Sequence, residues 1–165
     1  MAAALLEAKL SDRGVDAAVR SVGMLEGGRP AWPEAATVMA ERGLDLAGHT
    51  SRQMEPAIVR DADMVLGMTR EHAREAIAME PSAYLRVFTL KELLRVGESR
   101  PRSPGALLDS WLAEVAEQRE VKDLLGADPT DDVADPIGGP LGAFRDTATE
   151  LDSLLDRLVR VAFPG

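Results

Sequence analysis

Hydrophobic positions along the chain follow two rhythms. Met1, Leu5, Leu6 and Leu10 recur at helical spacing, with Ala, Glu and Lys between them, so residues 1–10 read as an amphipathic helix. Asp12, Arg13 and Gly14 supply its stop. No Ser, Thr, Asp or Asn stands ahead of Ala2 to cap the first amide groups. The stretch DAAVRSVGM (16–24) predicts a short, fairly buried strand. Residues 33–43 return to helical spacing, with Pro33 in the first turn and Gly43 just past the end. Residues 43–54 read as loop and 55–61 as a short helix. Within 62–68, Met64, Val65 and Leu66 run together without a polar break, as in a parallel strand covered on both faces. Residues 69–80 predict a helix capped by Thr69 and closed by Pro81. LRVFTL (85–90) predicts another strand, and 91–97 a helical turn or two.

Strands alternating with helices point to an α/β fold, three-layer α/β/α, with a short parallel sheet. Residues 98–134 break the alternation. Ser103 as cap and Pro104 in the first turn open a helix expected over 104–125, with Leu108, Trp111, Leu112 and Val115 on one face. The last helix carries the strongest period, with Leu151, Leu154, Leu155, Leu158 and Ala162 as its buried stripe. The expected organisation is a single domain over 1–165, with a helical insert at about 98–130.

Composition narrows the chemistry. The chain has 165 residues and a formal net charge of −9, which disfavours nucleic acid as a partner because the phosphate backbone is repelled. It contains no cysteine, so these residues offer no disulfide, thiolate metal site or thiol nucleophile. Two histidines make a histidine-rich metal site improbable. No apolar run approaches the ~20 residues that span a bilayer, so no membrane partner is expected. Glu7 and Lys9 interrupt the first apolar stretch, which is unlike a signal peptide. A cytoplasmic location is the expectation.

Asp135-Pro136 followed by Gly138-Gly139, in DDVADPIGGPLGAF (131–144), has the composition of a turn. The same residues suit a loop that holds one carboxylate over a pocket, since proline stiffens it and glycine lets backbone approach a ligand. Ser21 and His49 are likewise either local hydrogen-bonding groups or site residues.

Five stretches in order bear on that choice: SVGM (21–24), GLDLAGHTSRQ (43–53), DADMVLGMTREH (61–72), RVFTLKEL (86–93) and ADPIGGPLGAFRD (134–146). Together they resemble the low-molecular-weight protein tyrosine phosphatase family, whose fold also serves certain arsenate reductases. The resemblance covers most of residues 1–96 and 131–162. It implies hydrolysis of phosphomonoesters, phosphotyrosine among them, through a phosphocysteine intermediate, with no metal or organic cofactor. The substrate would be a phosphorylated protein or a small phosphomonoester. Asp135 matches the general acid, which protonates the leaving group and later activates water. Ser21 and His49 match the hydroxyl and imidazole that hold the phosphate loop in shape. Arg52 and His72 read as structural, His72 being exposed.

Members of the family begin with a strand, a Cys-(five residues)-Arg-Ser-Pro loop and a helix much like MAAALLEAKL. There a thiolate attacks phosphorus, amides at the helix N-terminus hold the phosphate, and the arginine clamps it as a fork. Met1 falls just after that Arg-Ser-Pro, so neither the family's central first strand nor its phosphate-binding residues lie in this chain. Arg102-Ser103-Pro104 does not replace them, because the nucleophile position six residues earlier is Val96. Many members of the family place an aromatic residue soon after Asp-Pro, where this chain has Ile137, and often a Trp or Tyr in the loop after the second strand, where this chain has Leu25 or its neighbours, with Trp32 close but shifted. The expectation is an N-terminally truncated reading frame of a phosphatase, inactive as written. The alternatives are a non-catalytic binding or regulatory module on the same fold and, more weakly, an arsenate reductase relative, whose chemistry needs further thiols.

Overall fold

The structure, a computed structural model, describes residues 1–119 and 129–164. They fall into two compact units, one made of Met1–Gln53 with Ala134–Val159, the other of Met54–Val133 with the chain from Arg160 onward.

In the first unit α1 spans Ala2–Asp12 and buries Leu5, Leu6 and Leu10, the face its spacing predicts. Met1 precedes the helix and no side chain caps it. Gly14, at φ +67, ends it in a conformation that only glycine adopts freely. Helix α2 spans Pro33–Ala40, with proline in its first turn. Val38, Phe144 and Ala148 form a core cluster against which Met1, Ala35 and Leu141 pack. The last helix of the chain, labelled α7 below, spans Leu141–Ala162, and its predicted stripe is buried throughout. Lys9 reaches both Asp152 and Asp156 at 2.7 Å, and Arg145 pairs with Glu41 at 2.6 Å.

The expected strand at 16–24 is not part of the sheet, which pairs only β1 and β2 among the described residues. Gly23 alone makes a bridge, to Gln53. Val19 and Val22 are half-buried while Asp16, Arg20 and Ser21 are exposed. Two valines three residues apart cannot share one face of a strand, whose side chains alternate.

The second unit holds α3 (Pro56–Asp61), β1 (Val65–Gly67), α4 (Arg70–Met79), a 3₁₀ turn (Pro81–Arg86), β2 (Val87–Thr89), α5 (Leu90–Gly97), α6 (Leu108–Ala116) and a further 3₁₀ turn (Pro129–Asp131). Strands β1 and β2 pair in parallel, Val65 opposite Val87 and Gly67 opposite Thr89, so the fold is α/β with a short parallel sheet, as the alternation predicts. Helix α4 packs on both strands. A Cβ on Gly67 would lie 2.9 Å from the Thr69 carbonyl oxygen and 3.0 Å from the Ala73 nitrogen, so glycine is what lets β1 run directly under the start of α4. Thr69 caps that helix as expected, its hydroxyl accepting the His72 N–H. His72 itself is half-buried rather than exposed. Thr89 and Glu92 form a reciprocal capping box at the start of α5.

The insert helix is shorter than expected. Ser103 and Pro104 do not open it. Gly105 turns at φ +80, Ala106 N–H donates to the Ser103 carbonyl, and α6 begins at Leu108 without a side-chain cap. Pro-Gly favours a turn more strongly than Ser-Pro favours a helix start. Residues 120–125 of the expected helix lie outside the described residues. Trp111, Leu112 and Val115 are buried as predicted. Trp111 Nε1 donates to the Arg100 carbonyl at 2.8 Å.

Candidate functional site

A cavity of about 370 Å³ lies in the first unit. Three segments build its wall: the first two turns of α1, residues Val19–Ser21, and the loop from Asp45 to Arg52. That loop is laid down by hydrogen bonds to residues 23–30. Gly23 N–H donates to Arg52 O at 2.9 Å, Gly28 N–H to Ser51 O at 2.8 Å, and Ser51 N–H to Arg29 O at 2.7 Å. A Cβ on Gly27 would come within 2.8 Å of the Ser51 carbonyl oxygen, so glycine is required for the two segments to lie so close. Within the loop Asp45 accepts the Ala47 N–H at 2.8 Å, and His49 N–H closes a turn onto Leu46 O at 3.0 Å.

Ser21 and His49 both line this cavity, one from the 19–21 segment and one from the loop. Thr50, Arg20 and Arg52 join them. The wall therefore offers hydroxyl, imidazole and guanidinium donors, a set suited to an anion, with Glu7 and Asp45 as its acidic members. Arg52, expected to be structural, accepts the Gly23 N–H through its carbonyl and also lines the cavity. The sequence signal for it was its place in the same loop as His49. Burial of the Met1 ammonium lowers its pKa below the ordinary terminal amine.

Asp135 lies elsewhere in the unit, on the turn that leads into α7, and does not line the cavity. Its carboxylate is exposed and accepts the Ile137 N–H at 3.0 Å. Pro136 O accepts the Gly139 N–H at 2.9 Å, and Gly138 sits at φ +84. A Cβ on Gly139 would lie 3.0 Å from Pro136 O. The Asp-Pro-Ile-Gly-Gly sequence is thus a tight turn that holds an aspartate carboxylate toward solvent at the mouth of a long helix. Ile137 is 52 % exposed. Among the described residues no three His, Asp or Glu side chains cluster as metal ligands, and no helix is long and apolar enough to cross a membrane.

The model of the low molecular weight phosphotyrosine protein phosphatases matches residues 1–100. A protein-arginine-phosphatase of Geobacillus stearothermophilus is 32 % identical over 159 residues, 96 % of this chain and 83 % of that protein. A probable low molecular weight protein-tyrosine-phosphatase of Ralstonia solanacearum is 39 % identical over 93 residues, 56 % of this chain and 62 % of that protein. The crystal structure of a low molecular weight protein tyrosine phosphatase from T. tengcongensis superposes with a TM-score of 0.71 at 27 % identity, covering 96 % of this chain and 87 % of that one. With the family model matched over more than half its length and a relative aligned along nearly all of it, this chain belongs to the low molecular weight phosphotyrosine protein phosphatase family.

Proposed function

We propose that these residues form the acid-bearing and loop-supporting part of a phosphatase site, and that the family's phosphocysteine chemistry needs a Cys-(five residues)-Arg loop placed ahead of Met1. The observation that carries the reading is the cavity at the first turns of α1, where Ser21 and His49 share a wall. A phosphate loop entering α1 would be bounded there by the hydroxyl and the imidazole, and its bound anion would face the amide-rich end of the helix. The thiolate would attack phosphorus, the P–O bond to the leaving group would break, and Asp135 would supply the proton that the leaving oxygen takes up. In the second step Asp135 would accept a proton from the water that displaces the cysteine.

With no cysteine in the chain, the 165 residues alone should turn over no aryl phosphate above a buffer control. Extending the chain with an apolar strand, Cys, five residues and Arg-Ser-Pro should give hydrolysis that is abolished by replacing the added cysteine with serine. Turnover by the unextended chain that vanishes in Asp135→Ala would mean another nucleophile and would overturn the scheme. A folded extended chain that binds phosphopeptides without turnover would favour the non-catalytic module.

A second substrate reading rests on two observations. A relative aligned along 96 % of this chain is a protein-arginine-phosphatase, and the chain has Ile137 just after Asp135-Pro136, where the family resemblance implies an aromatic residue stacking on a phosphotyrosine ring, a loss of ~0.5–1.5 kcal/mol per ring pair. Phosphoarginine, a phosphoramidate whose leaving guanidine also needs a proton, fits these facts. Comparing kcat/KM of the extended chain on phosphoarginine and phosphotyrosine peptides of one sequence separates the two readings.

A further inference from the structure

The segment just ahead of Asp135 is gripped more heavily than a connecting loop requires. Asp132 Oδ1 accepts the N–H of Arg70, the first residue of α4, at 2.8 Å across 62 positions of sequence. The Arg70 side chain is only 8 % exposed, and its Nε, which has no hydrogen-bond partner, lies 3.9 Å from the same oxygen, so the carboxylate hydrogen-bonds an otherwise unpaired helix amide and sets a counter-charge beside a buried guanidinium. The Asp132 carbonyl accepts from Lys91 Nζ at 2.7 Å. Asp131 pairs with Arg95 at 3.0 Å. Val133 N–H donates to Met68 O at 2.7 Å, just past the end of β1. Three consecutive residues are thereby fixed through backbone and side chain, and Asp135 follows two positions after the last of them. Thr69 already caps α4, so the helix has a local cap without Asp132. What Asp132 adds is a tie between that helix and this segment.

We propose that Asp132 is a positioning residue for the general acid, holding the backbone that leads into Asp135-Pro136 through its bonds to Arg70. The proposal rests on the reading of Asp135 given above. Asp132 touches no reacting atom in it. Asn at this position keeps an oxygen able to accept the Arg70 N–H, whereas Ala keeps none, so the pair of variants separates anchoring from the mere presence of a side chain.

Two measurements test it. In the chain itself, ¹⁵N relaxation of Ala134, Asp135 and Ile137 should show ordered amides, and Asp132→Ala should lower their order parameters from ~0.85 toward ~0.6. Phe88 of β2 should stay unchanged and Asp132→Asn should retain order. Unchanged values at all three amides overturn the anchor, as does an equal fall at Phe88, which would mark general loosening. In the chain extended by the cysteine loop, Asp132→Ala should slow turnover of aryl phosphates with poor leaving groups about tenfold, a fraction of the ~10²–10⁴ that general acid catalysis supplies. KM and the rate on easily departing phenols should hold, and Asp132→Asn should restore the loss. Equal losses across the series overturn the role of Asp132 alone. No turnover of any aryl phosphate by the extended chain overturns the phosphatase reading instead.

Discussion

Arg119 carries several contacts in the second unit, and its removal has a calculable cost. Its guanidinium donates to Glu92 Oε1 at 2.7 Å, to the Tyr84 carbonyl at 3.1 Å and to the Val87 carbonyl. It lies 4.9 Å from the Tyr84 ring centre and 4.5 Å from that of Phe88. The side chains of Arg119 and Glu92 are 1 % and 3 % exposed. Removing one partner of such a pair leaves a buried charge without compensation, which costs about 3–5 kcal/mol. Whole domains are stable by only ~5–15 kcal/mol, so Arg119→Met should bring this unit close to the edge of folding.

Urea unfolding checks the figure. Trp111 is buried in α6, in the same unit, whereas Trp32 is 52 % exposed, so a Trp32→Phe background lets Trp111 fluorescence report the second unit. With a urea slope of ~1–3 kcal/mol per molar, a loss of that size should lower the midpoint by about 1–5 M with little change in slope. Lysine should recover only part of the loss, since an ammonium has neither the fork nor the planar stacking of guanidinium. Adding Glu92→Gln to Arg119→Met should reduce the damage, because no buried charge remains unpaired. A loss below ~1 kcal/mol for Arg119→Met, or a double variant worse than the sum of its parts, would refute the reasoning.

Other perturbations follow from contacts already described. Gly67→Ala forces a Cβ against backbone atoms at 2.9 and 3.0 Å and should cost ~1–3 kcal/mol by the same urea assay, whereas Gly48→Ala, with nothing within 4 Å of the added carbon, should be nearly neutral. For Lys9, burial works against the charge, but its hydrogen bonds to Asp152 and Asp156 prevail and hold its pKa above the ordinary lysine value. That stabilisation is fully present below the unfolded-state pKa and is lost as pH rises through the folded one, so the stability difference between wild type and Lys9→Met should shrink only in strong alkali. Glu41 behaves in the opposite sense. Its hydrogen bond from Arg145 lowers its pKa, so its contribution is present above the unfolded-state value and fades as pH falls through the folded one, and added salt should weaken it because both groups are exposed.

Where one periodicity dominated, the sequence was a sufficient guide. The stripe of α7 and the apolar face of α1 appear at the predicted residues, because a 3.6-residue repeat sustained over several turns has one solution. Thr69 was legible as a cap because its hydroxyl meets an amide only three residues away. The segment around Ser21 has the composition of a strand but lies in no sheet, since short apolar runs do not say whether a neighbour exists to pair with them. The late start of α6 was hidden by two competing local preferences at Ser103-Pro104-Gly105. Ser21 and His49 were singled out from motifs, and they share a cavity wall. Arg20 and Asp132 escaped notice because what distinguishes them is a partner or a neighbour far away in sequence, Asp132 and Arg70 being 62 residues apart. No local pattern records such a contact.

The most direct test of the account is the leaving-group dependence of the acid. In the chain extended by the cysteine loop, wild type and Asp135→Asn are compared across aryl phosphates of graded phenol pKa. If Asp135 protonates the leaving oxygen, the variant loses ~10²–10⁴-fold on phenols of high pKa and little on those that depart without a proton. His49→Ala and Ser21→Ala should show milder losses that do not vary with the phenol, because they disturb the support of the loop and not the proton transfer. An Asp135→Asn variant that slows every substrate by the same factor would contradict the account and leave Asp135 as the first residue of a turn.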